Sequence, residues 1–364
     1  MNNTNTVTVE PKNSRLRSLD LLRGADMLFL AVIGPLLTAF NRSWGLPKGL
    51  TEQLTHADWI GFTLWDLIMP LFIFMCGAAI PFALPKRLKD GRPGWTFWKH
   101  ILGRVLLLWT LGMLIQGNLL SFVPAKICFY NNTLQAIAAG YLIAALTFLV
   151  PWQKLRLALP ILLAAIYGIA LVIFGDYTPD GNAAIRLERV VFPNNHDGYG
   201  WVLTTLMFGA MTLCGMQATE LLRSKFSPMR KFVILLVAGT LVLLAGLVLG
   251  IWEPAIKRIY TVAFTAQAMG WSILALAALY LIADVFRLVR GNGIITLFGQ
   301  YALTAYLCHE LFAPGFDALA CRFTYGCPNI FGTAPQPFIE TCVVSVLIIS
   351  VLYVRKRLDS REIK

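Results

Sequence analysis

Apolar runs of about 20 residues recur along this chain from end to end, and no other feature narrows its fold as much. A helix of that length rises about 30 Å, the thickness of a bilayer's hydrocarbon layer. We read ten such runs, at about 18–40, 60–84, 100–117, 133–150, 157–175, 200–222, 232–251, 259–286, 294–312 and 337–354. Their connectors carry turn-forming residues, such as Arg92-Pro93-Gly94 and Thr178-Pro179-Asp180-Gly181. The expected fold is therefore all-α and polytopic, with about ten transmembrane helices in one domain at 18–354, between a tail at 1–17 and a basic tail at 355–364. At 57% hydrophobic and 14% charged, the composition exceeds the roughly 45–50% apolar content of soluble domains and leaves no stretch for a separate soluble unit.

Charge placement supplies an orientation and removes one class of partner. A formal net charge of +12 would suit nucleic acid if the basic residues shared a surface. They alternate instead: 21 of the 31 lysines and arginines fall in one set of connectors, above all Lys86 to Lys99, Arg223 to Lys231 and Arg355 to Lys364, and eight in the other. This is the positive-inside pattern, and it predicts both termini in the cytoplasm. The expected partner is the lipid bilayer, with no role for nucleic acid. The polar first 17 residues and the length of the first run argue against a cleaved signal peptide, so that run is expected to stay as a helix.

Charge inside an apolar run is costly, roughly 2.5 kcal/mol or more near the bilayer centre. The first run nonetheless opens SerLeuAspLeuLeuArgGlyAlaAspMet at 18–27. Asp20, Arg23 and Asp26 stand three apart, so Arg23 meets either carboxylate at neighbouring helical positions. Two readings stay open: a structural ion pair, or, with Arg104 and the loop of Lys86 and Arg87, a site for a phosphate-bearing ligand, whose oxygens guanidinium groups bind in pairs. No GxxxxGK[ST] and no GxGxxG is present to suggest ATP or a dinucleotide fold.

The opposite side gathers His56, Asp58, Asp66, Asn131, Asn132, Gln135, His196, Asp197, His309 and Glu310. Two polar layers suggest two ligands arriving from opposite faces. His56 stands where the chain enters the second run, with Asp66 deeper in it; an imidazole can take a proton from an amine or hydroxyl while a carboxylate orients it. Equally, His56 reads as a loop residue at the interface. His309 and Glu310, one turn after Tyr306, line the same cavity or form a wet helix end. His100, beside Trp95, Phe97 and Trp98, reads as an interfacial anchor, and His196 as a substrate contact or a solvated loop residue. Cys76, Cys214, Cys308 and Cys342 read as apolar filler within runs, while Cys128, Cys321 and Cys327 fall in outer loops, where an oxidising face leaves a Cys321–Cys327 disulfide open. No CxxC or His/Cys cluster appears, so no metal is expected.

These motifs resemble those of the heparan-α-glucosaminide N-acetyltransferase family, a branch of the transmembrane acyltransferases, and of its bacterial members above all. The resemblance is carried by SerLeuAspxxArgGlyxAspMet at 18–27, HisAlaxTrpxGly at 56–61 and AspLeuxxProxPhexPhexxGly at 66–77. Further echoes are ThrLeuGlnAlaIleAla at 133–138, TyrThrValAlaPhe at 260–264 and PheGlyGlnTyrAlaLeuThrAlaTyr at 298–306, in family order. It implies an acyltransferase of the bacterial inner (cytoplasmic) membrane that moves an acetyl group from cytoplasmic acetyl-CoA to an amino sugar or other glycan on the extracytoplasmic side. Residue by residue, it implies His56 as the catalytic histidine and Asp66 in its pocket; the CoA phosphates are then expected in the inner basic cluster of Arg23, Arg104, Lys86 and Arg87. Asp58, Trp59, Asn132, Gln135, His309 and Glu310 are then expected toward the acceptor, and Trp44, Trp59 and Trp201 either stack on a sugar or anchor the interface. The family's AspProGluGly is reduced here to Asp197-Gly198, and its asparagine ending the first run has no clear counterpart in IleGlyProLeuLeuThrAlaPheAsn at 33–41, which leaves the acceptor open. Oligomeric state is open too, a homodimer included. The alternative function is a proton-coupled or passive small-molecule transporter, although no repeat relates the two halves.

Overall fold

The computed structural model describes residues 16–193, 198–289 and 293–362, and among these no strand forms. In chain order the main helices are α1 (Arg17–Trp44), α2 (Leu64–Ala83), α3 (Trp95–Ile115), α4 (Thr133–Phe148), α5 (Gln153–Phe174), α6 (Ala183–Val191) and α7 (Trp201–Leu222). They continue with α8 (Pro228–Leu249), α9 (Val262–Val285), α10 (Ile294–Gln300), α11 (Ala302–Glu310), α12 (Ala313–Thr324) and α13 (Gln336–Glu362). Eight are long and apolar enough to cross a membrane: α1, α2, α3, α5, α7, α8, α9 and α13. The other two expected runs differ from expectation. The run at 133–150 makes only the shorter α4, because Pro151 disfavours helical geometry at Val150. The run at 294–312 breaks at Tyr301 (φ −112°, ψ 34°) into α10 and α11. The basic residues after 354 continue α13 to Glu362.

Burial sorts the helices into a centre and a rim. For α2 and α7, 72% and 67% of the apolar stretch is enclosed, against 17% for α3, α5, α8 and α13. Those four keep Leu106, Ile169, Leu241 and Val346 exposed, apolar faces suited to lipid. At the centre, α2 and α7 approach to backbone contact: a Cβ on Gly77 would overlap the Thr212 carbonyl, and one on Gly215 the Phe74 carbonyl. Hydrocarbon offers no hydrophobic drive between helices, so small residues that admit close packing supply the association.

The ends of the central helices are capped from side chains. Thr63 and Asp66 form a capping box on α2, and Asn132 and Gln135 form one on α4. Glu188 of α6 accepts from the Trp201 and Val202 amides (2.9 and 2.8 Å) at the start of α7, and Glu253 from the Ala263 amide (2.7 Å) at the start of α9. These four helices all begin on one face, where their partial positive ends converge; three of them hold a carboxylate, Asp66, Glu188 or Glu253, and α4 holds the Asn132 and Gln135 amides. On the other face Asp284 caps α1, accepting from the Arg17 and Ser18 amides at 3.0 Å each. Within α1, a π turn at Phe29–Ile33 precedes Gly34-Pro35; Pro35 has no N–H for the Ala31 carbonyl, and the wider turn accommodates it. All seven cysteines are free thiols, Cys321 and Cys327 included.

Candidate active site

His56 and Asp66 meet because the chain between them doubles back. The Thr63 hydroxyl shares its one proton between the Thr55 carbonyl (2.8 Å) and Asp66, Gly61 adopts φ +144° and gives its amide to the Ala255 carbonyl (2.8 Å), and Trp59 Nε1 donates to the Tyr177 carbonyl (2.8 Å). Asp66 then divides its two oxygens. Oδ2 accepts from Thr63 Oγ1 (3.0 Å), the Thr63 amide (3.2 Å) and the Ala57 amide (3.3 Å). Oδ1 lies 2.7 Å from His56 Nδ1. A carboxylate has no proton to give, so at that distance Nδ1 carries it, and Nε2 is left with its lone pair. Asp66 is fully buried, while the His56 side chain is 47% exposed.

A third member arrives from the far end of the sequence. Lys257 Nζ lies 3.0 Å from His56 Nδ1, 3.4 Å from Nε2 and 3.4 Å from Asp66 Oδ1. Since Nδ1 is committed as a donor to Asp66, the ammonium has Oδ1 as its anionic acceptor. Its loop is pinned by Thr261 Oγ1, which accepts from the Ile256 amide (3.0 Å) and donates to the Pro254 carbonyl (2.8 Å), and by Tyr167 donating to the Ile259 carbonyl. Burial pulls the Lys257 ammonium down to a pKa of about 8, with the Asp66 charge opposing part of that drop.

His56 and Lys257 stand on the wall of a cavity of about 440 Å³ that also presents Trp65, Asn131, Trp201, Tyr306, His309 and Glu310. A second cavity, of about 820 Å³, opens toward the basic connectors and presents Arg23, Arg87, Lys99, His100 and Arg104 beside apolar Leu107, Leu134 and Ile137. One-turn steps on three elements run from the second cavity to the first: Arg23 to Met27 and Leu30 on α1, Cys76 to Phe72 and Met69 on α2, and Leu303 to Tyr306 and Glu310 on α11; on α4 the adjacent Leu134 and Thr133 line one cavity each. The stretch of α2 from Asp66 to Ala79 spans roughly 20 Å at 1.5 Å per residue.

The residues of the site and those expected there fall into three groups. The structure brings together His56 and Asp66, and places His309 and Glu310 on the same chamber; Arg23, Arg87 and Arg104 share the other. Arg104 is held there, its guanidinium 4.7 Å over the Tyr141 ring and Nη2 3.6 Å from Cys76 Sγ. His100 lines the basic chamber rather than standing clear as an interfacial anchor.

A second group is placed elsewhere. Lys86 is exposed in a short turn, Asp58 is exposed, and Trp59 is committed to the Tyr177 carbonyl. Asn132 and Gln135 are buried in their helix cap, where Asn132 accepts from the Leu134 amide (2.8 Å) and Gln135 from the Asn131 and Asn132 amides (2.9 and 3.0 Å). The chamber receives their neighbours Asn131 and Thr133 instead. Trp44 packs against Phe40 and Phe338, and of the three tryptophans named for stacking only Trp201 lines the chamber. His196 and Asp197 lie outside the described residues.

The third group is what residue spacing did not single out, Lys257 foremost. Its one local signal is the basic pair Lys257-Arg258 between Ile256 and Ile259, directly before TyrThrValAlaPhe at 260–264.

A 101-residue stretch is 29% identical to human Heparan-alpha-glucosaminide N-acetyltransferase, covering 28% of this chain and 14% of the human protein's length. The family model described as Heparan-alpha-glucosaminide N-acetyltransferase, catalytic, matches residues 15–225, a stretch that holds His56, Asp66 and the arginines of the basic chamber. With more than half of its length so matched, and built as a polytopic helical membrane protein, the chain belongs to the heparan-alpha-glucosaminide N-acetyltransferase family.

Proposed function

We propose that this protein is a transmembrane acyltransferase that takes acetyl-CoA from the cytoplasm and acetylates an amino sugar or other glycan amine on the extracytoplasmic side. The observation that carries the proposal is the pair of chambers on one line of helices, a basic one at one end and a His56–Asp66 pair at the other. The donor fits the basic chamber chemically: Arg23, Arg87, Arg104 and Lys99 suit the phosphates of CoA, and Leu107, Leu134 and Ile137 suit its apolar arm. The positive-inside charge distribution supports a cytoplasmic position for that chamber.

In the outer chamber His56 acts as general base. The acceptor amine attacks the thioester carbonyl, a C–N bond forms as the C–S bond breaks, Nε2 takes the amine's proton, and the CoA sulfur leaves to be protonated as the thiol. Asp66 holds the imidazole in the tautomer with Nε2 free and balances the imidazolium that forms. Lys257 keeps Asp66 ionised and adds positive charge near the carbonyl oxygen as it becomes an oxyanion. Trp201, Asn131 and Glu310 offer the acceptor an aromatic face and polar contacts.

The test is free-thiol release by the purified protein in lipid nanodiscs, given acetyl-CoA with glucosamine or a short glycan. Release that needs the acceptor and vanishes in His56→Ala is the expected result. Solute flux into proteoliposomes with no thiol release would replace the enzyme with a carrier.

A further inference from the structure

The two chambers meet at one side chain. Among the described residues, Phe72 alone stands on both walls. On α2 it lies one turn from Met69, which faces the His56 chamber, and one turn from Cys76, which faces the basic one. Its ring stacks near-parallel on Tyr306, centroids 6.5 Å apart and planes 16° apart. Tyr306 is 5% exposed, so its ring is held by the packing around it. Phe72 has no polar tie and is half-buried between two cavities.

We propose that the Phe72 ring, backed by Tyr306, is the septum between the chambers and the residue that limits the size of the acyl group transferred. The acyl-size half rests on the acyltransferase reading above; the septum half does not. A thioester moving from Arg104 toward His56 has to pass this ring, and each added methylene must displace it further. Beyond the ring, Met27, Leu30, Ile68 and Met69 offer apolar wall that accepts a longer chain. The constriction, not the chamber, therefore sets the limit. One methylene in such a pocket changes kcat/KM by roughly 10-fold or more.

Two arms test this with the full-length protein. In the first, acetyl-, propionyl- and butyryl-CoA are compared in wild type, Phe72→Ala and the gentler Phe72→Leu. The butyryl-to-acetyl ratio of kcat/KM is expected to rise at least about 10-fold in Phe72→Ala, and by less in Phe72→Leu. In the second, sealed proteoliposomes are treated with an anionic, membrane-impermeant methanethiosulfonate from the His56 side, and Cys76 modification is read by mass spectrometry. Cys76 is expected to stay unmodified in wild type and to react once the ring is removed. An unchanged acyl ratio in an active Phe72 variant overturns the size filter, and equal Cys76 labelling with and without the ring overturns the septum. Wild type that turns over no acyl-CoA at all would sink the enzyme reading and the size filter together, while the labelling arm still decides whether the septum exists. Should Phe72→Ala fail to fold, Phe72→Leu carries both arms.

Discussion

Asp66→Asn isolates what the carboxylate does for His56 from what it does for the fold. In the wild type Oδ2 accepts from two amides and the Thr63 hydroxyl, and Oδ1 faces the His56 and Lys257 protons. An asparagine has one accepting oxygen, and the cap offers it three donors, so the amide oxygen turns to the cap and its NH₂ to His56 Nδ1. Nδ1 must then accept, the proton moves to Nε2, and the lone pair that would take the acceptor's proton is gone.

The equivalent change in a Ser-His-Asp triad lowers kcat about 10⁴-fold through the wrong tautomer. A loss on the order of 10³ to 10⁴ is expected here, about 4–5.5 kcal/mol of barrier. Stability should suffer much less, because the cap is kept and Lys257 can shed its proton. From a pKa of about 8, doing so at pH 7 costs about 1.4 kcal/mol, which bounds the penalty. Thiol-release kinetics and the thermal unfolding midpoint, measured on the same preparation, separate the two effects. A variant with kcat within about tenfold of wild type, a barrier change under about 1.4 kcal/mol, would refute the tautomer argument.

The Lys257 charge is present below pH 8 and lost above it, so kcat is expected to fall as pH rises through about 8. Lys257→Arg keeps its charge at any such pH and should remove that limb; a limb unmoved in the variant assigns it to another group. Arg104→Ala should raise the KM for acetyl-CoA about 10-fold or more with a smaller effect on kcat, since it removes a charged contact remote from the carbonyl. A kcat effect with unchanged KM would place Arg104 outside the donor site. Gly77→Ala should lower stability by about 1–3 kcal/mol, because the new methyl meets the Thr212 backbone and not a movable side chain. Gly315→Ala, with open space at its Cβ, is the control for the unfolding midpoint.

The bilayer-spanning runs and the His56–Asp66 pair were legible because each is local: a run is its own composition, and ten residues separate the pair. The basic chamber was legible as an excess of charge, with Arg23 and Arg104 inside apolar runs where charge needs a reason. Lys257 was not, since only the fold carries it across 201 residues to His56. Asn132 and Gln135 were misdirecting for a different reason. Asn-Thr-Leu-Gln at 132–135 carries a helix-capping spacing, and the structure puts both amides in that cap, leaving the chamber to Asn131 and Thr133. Thr-Leu-Trp-Asp at 63–66 has a like spacing, yet there the same carboxylate both caps the helix and orients His56. Residue pattern gives the cap in both cases; only the surrounding loops decide whether a lone pair remains for chemistry. The break at Tyr301 left no Pro or Gly at the break itself, and an unbroken apolar pattern hid it.

In the proposed reaction an acyl group crosses from one compartment to the other past Phe72 to His56. Oriented, sealed proteoliposomes test it most directly, with acetyl-CoA supplied only on the side of the 86–99 loop and a membrane-impermeant glycan amine only on the other. The expected result is CoA thiol on the first side and acetylated amine on the second, both abolished in His56→Ala. Transfer that occurs only when donor and acceptor share one side, or that survives loss of the imidazole, would contradict it.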